Sequence, residues 1–436
     1  MPHRLPTELR AQIVSYLEED GTSFTNGARV CRQWQPIFEQ LIYRSVEVES
    51  EQLQSGSRLL SFSQVQTLVS DANRRRRCFV RRLQYTVIMP YHLPNYEATK
   101  LEGYREQNAI REVNNQAFGK GVSSLFEFLA LWKENLKLTL LLTARGRDKM
   151  LEPETEATTH AEQWQVELDG ERVVAPYRAR FPADEAPMLP RVTCIDHLWS
   201  ETRYQGICNS AVLQIAEHCI GLQRLRLHLA GWLRPDHIIY AFREPDLDHT
   251  VVASGLERLA ATLRAFECLG THLRSASKVD ELSSSLRILS CNLRELDLGV
   301  LSLDMDFSFR KFPDPATGDE IFESPWLNGG YSVSRERMNT EHFHRLFISL
   351  GYAARRIPVL QTISFSLGDL PKTEFRFESG RTQGGDGSTM SSGEKPRLRF
   401  LSEAAYRPDQ RVADAWGFGL DDVVVEEDQI GSGSSG

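Results

Sequence analysis

Two pairs of adjacent residues combine side-chain types that nucleophilic catalysis uses. His218 is followed by Cys219, and Asp196 is followed by His197. A nucleophile needs a base within hydrogen-bond reach, and a third group commonly orients that base. Adjacent residues rarely face each other, and His218 falls near the predicted end of a helix, where a positive charge is favourable in any case. Neither pair therefore predicts an active site.

Patterns for binding metals or phosphates are also weak. His342 and His344 are two positions apart on a predicted helix, which directs them to different faces and makes them a poor chelate. The chain has no His-Glu-x-x-His and no Cys-x-x-Cys motif, so zinc has no evident ligands. Gly119-Lys120-Gly121 lacks the long loop and the hydroxyl of a phosphate-binding loop. The sequence predicts no catalytic residue, no metal and no cofactor, and therefore not an enzyme.

A cluster of six arginines between residues 74 and 82 is the strongest charge feature of the sequence. Forked guanidinium groups suit an acidic or phosphorylated target segment, and a short run of arginines can also be a nuclear localisation signal. A solvated turn that leads into a strand is the simpler alternative. No aromatic stacking platform accompanies the cluster, so nucleic-acid binding is not expected. We call this possible basic patch the basic run, and it consists of Arg74, Arg75, Arg76, Arg77, Arg81 and Arg82.

The composition of the whole chain bounds its class. Of 436 residues, 41% are hydrophobic and 25% are charged, as in ordinary soluble globular proteins. The formal net charge is −8, so no overall basic field favours nucleic acid or anionic membranes. No apolar run is long enough to span a bilayer, no signal peptide is evident, and the seven cysteines have no regular spacing. We expect a cytoplasmic or nuclear protein with reduced thiols.

The first 48 residues have the pattern of three short helices followed by a strand. Apolar residues recur at helical spacing over 9–17 and again over 30–34. Pro36 suits the first position of a third helix. Residues 43–48 then alternate between apolar and polar, as a strand does. About 45 residues are too few to bury these apolar faces alone, so another surface must cover part of them.

This N-terminal pattern resembles the F-box family. The stretches LPTELRAQIVSYL and VCRQW carry the family's motif residues in its order and at close to its spacing. The resemblance implies a three-helix module that docks on the small adaptor subunit of an SCF-type ubiquitin ligase, and through that subunit on a cullin. Between residues 17 and 30 the chain departs from the family, which usually has further leucines there. By this resemblance, the adaptor-binding residues are Leu5, Pro6, Leu9, Ile13, Leu17, Val30, Cys31, Trp34 and Ile37.

Beyond residue 48, short apolar strands alternate with helical stretches. The spacing Leu-x-x-Leu-x-Leu, typical of strands in leucine-rich repeats, occurs strictly at 222–227 and 293–298. These copies start 71 residues apart, against ~20–29 in a regular repeat. We predict an irregular leucine-rich-repeat-like α/β solenoid with long insertions; an α/β domain with similar buried strands is the alternative. Looser copies lie at 80–85, 136–142, 192–198 and 360–365, and helices are predicted at 122–132, 210–218, 254–263 and 341–357.

Composition divides the chain further. Insertions near 145–190 and 309–339 are polar or punctuated by proline and glycine, and we expect them to be poorly ordered. Aromatic residues around Trp416 suggest a tail that docks on the body. The predicted divisions are an F-box at 1–48, the repeat-like body at 49–369, a mobile low-complexity loop at 370–396, a docking segment at 397–430 and a linker-like tail at 431–436.

These expectations combine into one functional prediction. The fold class is α/β, with an N-terminal three-helix F-box followed by the irregular repeat-like solenoid. The chain would be a substrate-recognition adaptor subunit of a cullin-RING ligase of the SCF type, joining the ligase adaptor to an unknown protein substrate. The alternatives are an F-box scaffold that acts outside ubiquitination, or an unrecognised enzyme. No membrane or nucleic-acid partner is expected.

Overall fold

A computed structural model describes part of the chain, and structural statements below concern that part. The described residues are 12, 16, 34–51, 59–90, 109–132, 136–146, 178–182, 189–200, 207–228, 258–259, 262–269, 271–273, 293–303, 308–309, 311–313, 320–322, 337–338, 340–367, 373–379, 397–402, 407–420 and 423–426.

Seven α-helices have defined bounds within these residues. Local sequence explains several of their ends. Ser61 forms a capping box with Gln64 at the start of α2, and Pro36 lies in the first turn of α1. The helices are α1 (Gln35–Ile42), α2 (Phe62–Leu68), α3 (Arg74–Arg77), α4 (Ala109–Ala130), α5 (Asn209–Glu217), α6 (Thr340–Arg355) and α7 (Gln410–Trp416).

Seventeen strands are described. They are β1 (Ser45–Glu49), β2 (Leu60–Ser61), β3 (Arg82–Met89), β4 (Leu138–Gly146), β5 (Ile195–Ser200), β6 (Arg224–His228), β7 (Ala265–Leu269), β8 (Thr271–Leu273), β9 (Glu295–Leu303), β10 (Ser308–Phe309), β11 (Lys311–Pro313), β12 (Glu320–Phe322), β13 (Arg337–Met338), β14 (Thr362–Leu367), β15 (Thr373–Glu378), β16 (Arg397–Ser402) and β17 (Val423–Glu426).

Thirteen of these strands form one sheet. Its order is β17-β16-β15-β14-β9-β7-β6-β5-β4-β3-β1-β2, and β8 also pairs with β9. From β1 through β14, each strand runs parallel to the next one and the sheet follows chain order. The β14–β15 and β15–β16 pairs are antiparallel, and β16–β17 is parallel again. The protein is therefore mixed α/β with a large, mostly parallel sheet.

One apolar residue from each parallel strand lies beside its counterpart on the next strand. None of these residues is more than 6% exposed. Burying an aliphatic side chain of this size stabilises the fold by about 1.5–3 kcal/mol. We call this line of residues the core row, and it runs through Val46, Leu83, Leu140, Leu198, Leu225, Phe266, Leu296 and Ile363.

Helices pack on the face of the sheet that carries the core row. Phe62 of α2 meets Tyr85 of β3 edge to face, with ring centroids 5.5 Å apart. The Tyr85 hydroxyl donates a hydrogen bond to the Gly121 carbonyl of α4 at 3.0 Å. Farther along the sheet, Phe347 of α6 stacks on Phe365 at 5.9 Å. We call this side of the sheet the core face and the opposite side the polar face.

Helix α7, near the end of the described chain, is anchored to the body by Trp416. Its indole Nε1 donates to the Phe347 carbonyl at 2.9 Å, and its ring lies 5.4 Å from Phe375 and 5.0 Å from Phe377. Asp409 caps the helix by accepting the Val412 N–H. The helix ends at a glycine with φ of 80°, a backbone conformation that glycine adopts without steric cost.

Several predicted elements are confirmed. The six leucine-rich motifs form β3, β4, β5, β6, β9 and β14, and the helices predicted at 210–218 and 341–357 are α5 and α6. The helix predicted at 122–132 is α4, which begins earlier, at Ala109. Its first half was missed because Asn114, Asn115 and Gly119 interrupt the apolar pattern there in the sequence. For the helix predicted at 254–263, only residues 258–259 are described as helical.

Two predictions of poor order were wrong in part. The 309–339 segment contains short strands, which form the antiparallel pairs β10–β13 and β11–β12. The predicted mobile loop at 370–396 includes β15, because Phe375 and Phe377 alternate with polar residues and are buried. Residues 147–177 and 380–396 lie outside the described residues. None of the described helices is both long and apolar enough to cross a membrane.

Candidate functional site

Two of the residues assigned to adaptor binding are described. Trp34 immediately precedes α1, is half-buried and stacks on Phe38 of that helix with ring centroids 5.7 Å apart. Ile37 is half-buried on the first turn of α1, whereas Phe38 is 5% exposed. The other assigned residues lie outside the described residues: Leu5, Pro6, Leu9, Ile13, Leu17, Val30 and Cys31.

Helix α1 is fastened directly to the body. Arg76 makes an ion pair with Glu39 at 2.9 Å, and its guanidinium lies 5.2 Å from the centre of the Tyr43 ring. The Arg44 carbonyl accepts the N–H groups of both Arg81 and Arg82 at 2.9 Å. Burial raises the pKa of Glu39, but hydrogen bonds from Gln35 and Arg76 outweigh it and the net pKa is lowered. The carboxylate is thus charged and paired at neutral pH.

The basic run does not form one continuous patch. Arg77 is 4% exposed and its Nε donates to the Val69 carbonyl at 2.6 Å, while Arg76 holds α1. Arg74 and Arg75 are exposed on the same helical turn. Successive helical residues point ~100° apart, so four arginines in one turn cannot share a face. The last two members are also exposed: Arg81 lies immediately before β3, and Arg82 is its first residue.

Arg82 belongs instead to a cluster on the polar face of the sheet. Its guanidinium carbon lies 5.5 Å from the centre of the Trp199 ring, and that of Arg226 lies 4.2 Å from the same centre. Arg226 is the register partner of Trp199, whereas Arg82 reaches the indole across β4. Cation–π contacts of this kind are worth ~0.5–2 kcal/mol each and hold the planar groups in place. The Trp199 cluster comprises Arg82, His197, Trp199, Arg224 and Arg226.

His197 sits in the same row of the polar face as Arg82 and Arg224. Its Nδ1 is 3.1 Å from the Thr139 hydroxyl oxygen on the neighbouring strand. Burial lowers the pKa of His197; Asp196 raises it, and Arg224 and Lys137 lower it. Because the net pKa falls below its ordinary value, the imidazole is neutral near pH 7. The positive charge of the cluster then comes from its three arginines.

Acidic residues border the Trp199 cluster on both sides along the sheet. On β1, Glu49 is 2% exposed and pairs with Arg145 at 2.5 Å. On β9, Glu295 lies 3.8 Å from Arg224, with both side chains about half exposed, a geometry that contributes little attraction. In the described part of the chain, Arg82 has no carboxylate within ion-pair distance. The positive region therefore spans β3 to β6 and ends where the acidic residues begin.

Sequence reasoning missed this cluster because its members come from three separate strands. The available signal was the alternation around the leucines: His197 and Trp199 flank Leu198, and Arg224 and Arg226 flank Leu225. A period of two places these flanking residues on the face opposite the core row. Register between strands so far apart in the chain is not visible in one sequence.

The His218–Cys219 pair, considered above for catalysis, and His344, considered for metal binding, have roles in the packing of the fold. Cys219 is buried, its Sγ donates to the Ile215 carbonyl, and burial raises the pKa of its thiol well above the ordinary value. His218 caps the end of α5. His344 is buried on α6, with Nε2 3.5 Å from an Asp409 oxygen. Among the described side chains, no group of histidines, cysteines and carboxylates could hold a metal ion.

Comparisons of the chain with protein-family models, with curated proteins and with solved structures found no match.

Proposed function

We propose that the chain is a substrate-recognition adaptor subunit of a cullin-RING ubiquitin ligase of the SCF type. In this proposal residues 1–48 are an F-box that binds the small ligase adaptor. The body is an irregular leucine-rich-repeat-like solenoid that holds a protein substrate. The protein contributes no covalent chemistry of its own.

The core row is the observation that best supports a repeat-like body. Eight parallel strands follow one another along the sheet in chain order, and each adds one buried apolar residue to the row. In a doubly wound α/β domain the strand order reverses at a switch point, which this run of strands does not do. Stacking of similar units in one direction is the arrangement of solenoids.

The irregularity of the proposed repeats comes from the segments between strands. Neighbours in the core row are 27 residues apart from Leu198 to Leu225 and 67 apart from Leu296 to Ile363. The first spacing lies within the ~20–29 residues of a regular repeat, and the second leaves room for a long insertion. A solenoid tolerates such insertions because each unit contacts only its neighbours.

The F-box assignment is supported by the N-terminal motif and by the surroundings of α1. The segment that would be the third F-box helix is α1, and only Tyr43 and Arg44 separate it from β1. The Arg76–Glu39 pair and the Arg44 carbonyl tie this short connection to the body. A module fixed in this way would hold a bound substrate at a set distance from the ligase. Catalysis then gains from a raised effective concentration of the target lysine.

Co-purification tests the proposed adaptor contact. The tagged full-length chain and a Leu9→Ala/Trp34→Ala variant would be incubated with the ligase adaptor and cullin. Truncating interface anchors typically costs about 2–4 kcal/mol, or on the order of 30- to 1000-fold in affinity. We therefore expect adaptor capture to fall strongly in the variant and cullin capture to fall with it.

The matched control is Leu131→Ala/Tyr352→Ala. Leu131, just after α4, is 63% exposed, and Tyr352 of α6 is 48% exposed; both are far from residue 34 in sequence. Like the test variant, this control removes one leucine and one aromatic side chain. The control should capture adaptor as the unmodified chain does. Equal capture by all three proteins would refute the docking claim. Retention of adaptor without any cullin would favour a scaffold role outside ubiquitination.

A further inference from the structure

The polar face of the sheet carries a concentration of positive charge that the net charge of the chain does not suggest. The chain as a whole has a formal charge of −8, yet the outward positions of β3 to β6 include Arg82, Arg224 and Arg226. At the same edge, Arg81 and Lys137 are exposed just before β3 and β4. Like charges placed this close repel one another, and Asp196, Glu267 beside Arg226 and Glu295 near Arg224 offset part of that repulsion.

The central part of this region is already organised for binding. The guanidinium groups of Arg82 and Arg226 both lie over the Trp199 ring, and this stacking leaves the N–H edge of the exposed Arg82 to serve as a donor. A guanidinium fixed by stacking loses less conformational entropy on binding than a free one. Arg82 and Arg224 are exposed, and among the described residues the one ion pair that either of them makes is the long contact of Arg224 with Glu295 at 3.8 Å. Oxygen acceptors from a partner would therefore meet ready donors.

We infer that the Trp199 cluster binds a short acidic peptide segment of a partner protein. This inference names the partner chemistry for the body and rests on the proposed role of that body as a recognition surface. The acceptors are carboxylates or phosphoryl groups, which forked guanidinium donors bind in the same bidentate way. The indole between them contacts the apolar part of the bound segment.

The dimensions of the cluster limit the length of that segment. Strands are spaced ~4.8 Å apart, so β3 to β6 spans about 14 Å. An extended peptide advances ~3.3 Å per residue, which gives room for four or five residues. The exposed Glu47 of β1 on one side and Glu295 on the other would repel a longer run of negative charge. A nucleic-acid strand is disfavoured for the same reason, and because the cluster offers one aromatic ring rather than a series.

Fluorescence anisotropy on the purified full-length chain, without ligase subunits, tests the inference. The probes are a labelled peptide with a short run of glutamates and aspartates, the same peptide with glutamine and asparagine, and one with phosphoserines in place of the acidic residues. We expect both anionic peptides to bind and the neutral one not to bind. Tighter binding of the phosphoserine peptide would indicate a phosphorylated partner, and tighter binding of the glutamate and aspartate peptide an unmodified one. Arg82→Glu/Arg224→Glu should weaken binding by about tenfold or more.

A matched control exists on the same face. Arg376 and Arg397 are exposed on β15 and β16, in the register rows that contain Trp199 and Arg82 respectively. Arg376→Glu/Arg397→Glu makes the same change in charge and should leave affinity within about twofold. Circular dichroism would verify that both double variants are folded, since all four side chains are exposed.

Three results would overturn the inference. One is no binding of either anionic peptide by the unmodified chain. Another is equal weakening by the two double variants, which would reveal only non-specific attraction. The third is a single-stranded oligonucleotide that competes as well as the acidic peptide does. None of these results affects adaptor capture through the F-box, so failure here and failure of the proposed function are separable.

Discussion

The packing of α6 on α7 makes a sharp prediction at Gly351. A Cβ added at this position would lie 2.7 Å from Cδ1 and 2.9 Å from Nε1 of Trp416, and 2.9 Å from the Ala415 carbonyl carbon. A Cβ atom closer than 3.0 Å to another heavy atom forces one of the two atoms to shift. The indole is held by its hydrogen bond to the Phe347 carbonyl, and the Ala415 atom belongs to the backbone of α7.

Two opposing terms decide the sign of the Gly351→Ala change. Alanine in a helix interior is favoured over glycine by about 1 kcal/mol. Overpacking a well-filled site costs about 1–3 kcal/mol. The balance is a loss of roughly 0–2 kcal/mol in the free energy of unfolding. Helix propensity alone would predict the opposite, a gain of about 1 kcal/mol.

Gly119→Ala in α4 is the matched control. A Cβ there would meet Pro182 at 3.5 Å and Phe181 at 3.7 Å, which are ordinary van der Waals distances. This variant should therefore gain about 0.5–1 kcal/mol from helix propensity. Urea unfolding followed by circular dichroism would compare the two midpoints. If Gly351→Ala were stabilised as much as Gly119→Ala, the close packing of α7 on α6 would be wrong.

Two further predictions concern charged contacts. A double-mutant cycle with Arg76→Gln and Glu39→Gln should give a coupling energy of about 1 kcal/mol in urea unfolding, because the pair is partly buried; additive effects would mean that the pair does not fasten α1. Burial raises the pKa of Asp409, but hydrogen bonds from Arg411 and from the backbone outweigh it, so the net pKa is lowered. A lowered pKa stabilises the fold above the unfolded value of ~3.9 and loses that effect as pH falls through the folded value. Asp409→Asn should therefore lower the thermal midpoint near pH 7, and the difference should shrink below about pH 4; a difference that is constant with pH would contradict this charge effect.

How far the fold could be predicted differs between its parts. Leucine spacing was enough to find six of the eight parallel strands, because buried strands carry apolar residues at alternate positions, whereas β7 was missed. The β15 strand was missed although Phe375 and Phe377 alternate with polar residues, since the glycine- and serine-rich stretch after it dominated the composition. Strand order could not be predicted in detail, because one leucine motif looks like another until the register is known.

The candidate sites also differ in how far they could be predicted from the sequence. The basic run was visible in the sequence, but its division into a buried Arg77, a paired Arg76 and an exposed Arg82 depends on contacts with distant residues. The Trp199 cluster brings together β3, β5 and β6, whose relevant positions are as far apart as residues 82 and 226. Long-range contacts of this kind have no local pattern, so they lay beyond sequence reasoning.

The attachment of α1 bears on how the proposed adaptor would work. Because the Arg44 carbonyl and Arg76 fix α1 against the body, α1 and the proposed recognition face would move as one unit. The strand β1 that follows α1 is three strand spacings, or about 14 Å, from the β5 strand that carries Trp199. A flexible linker at this point would spread the bound substrate over a larger volume and lower its effective concentration near the ligase. With a rigid connection and a binding site only a few residues long, differences in the position of the target lysine must be accommodated by the substrate's own chain.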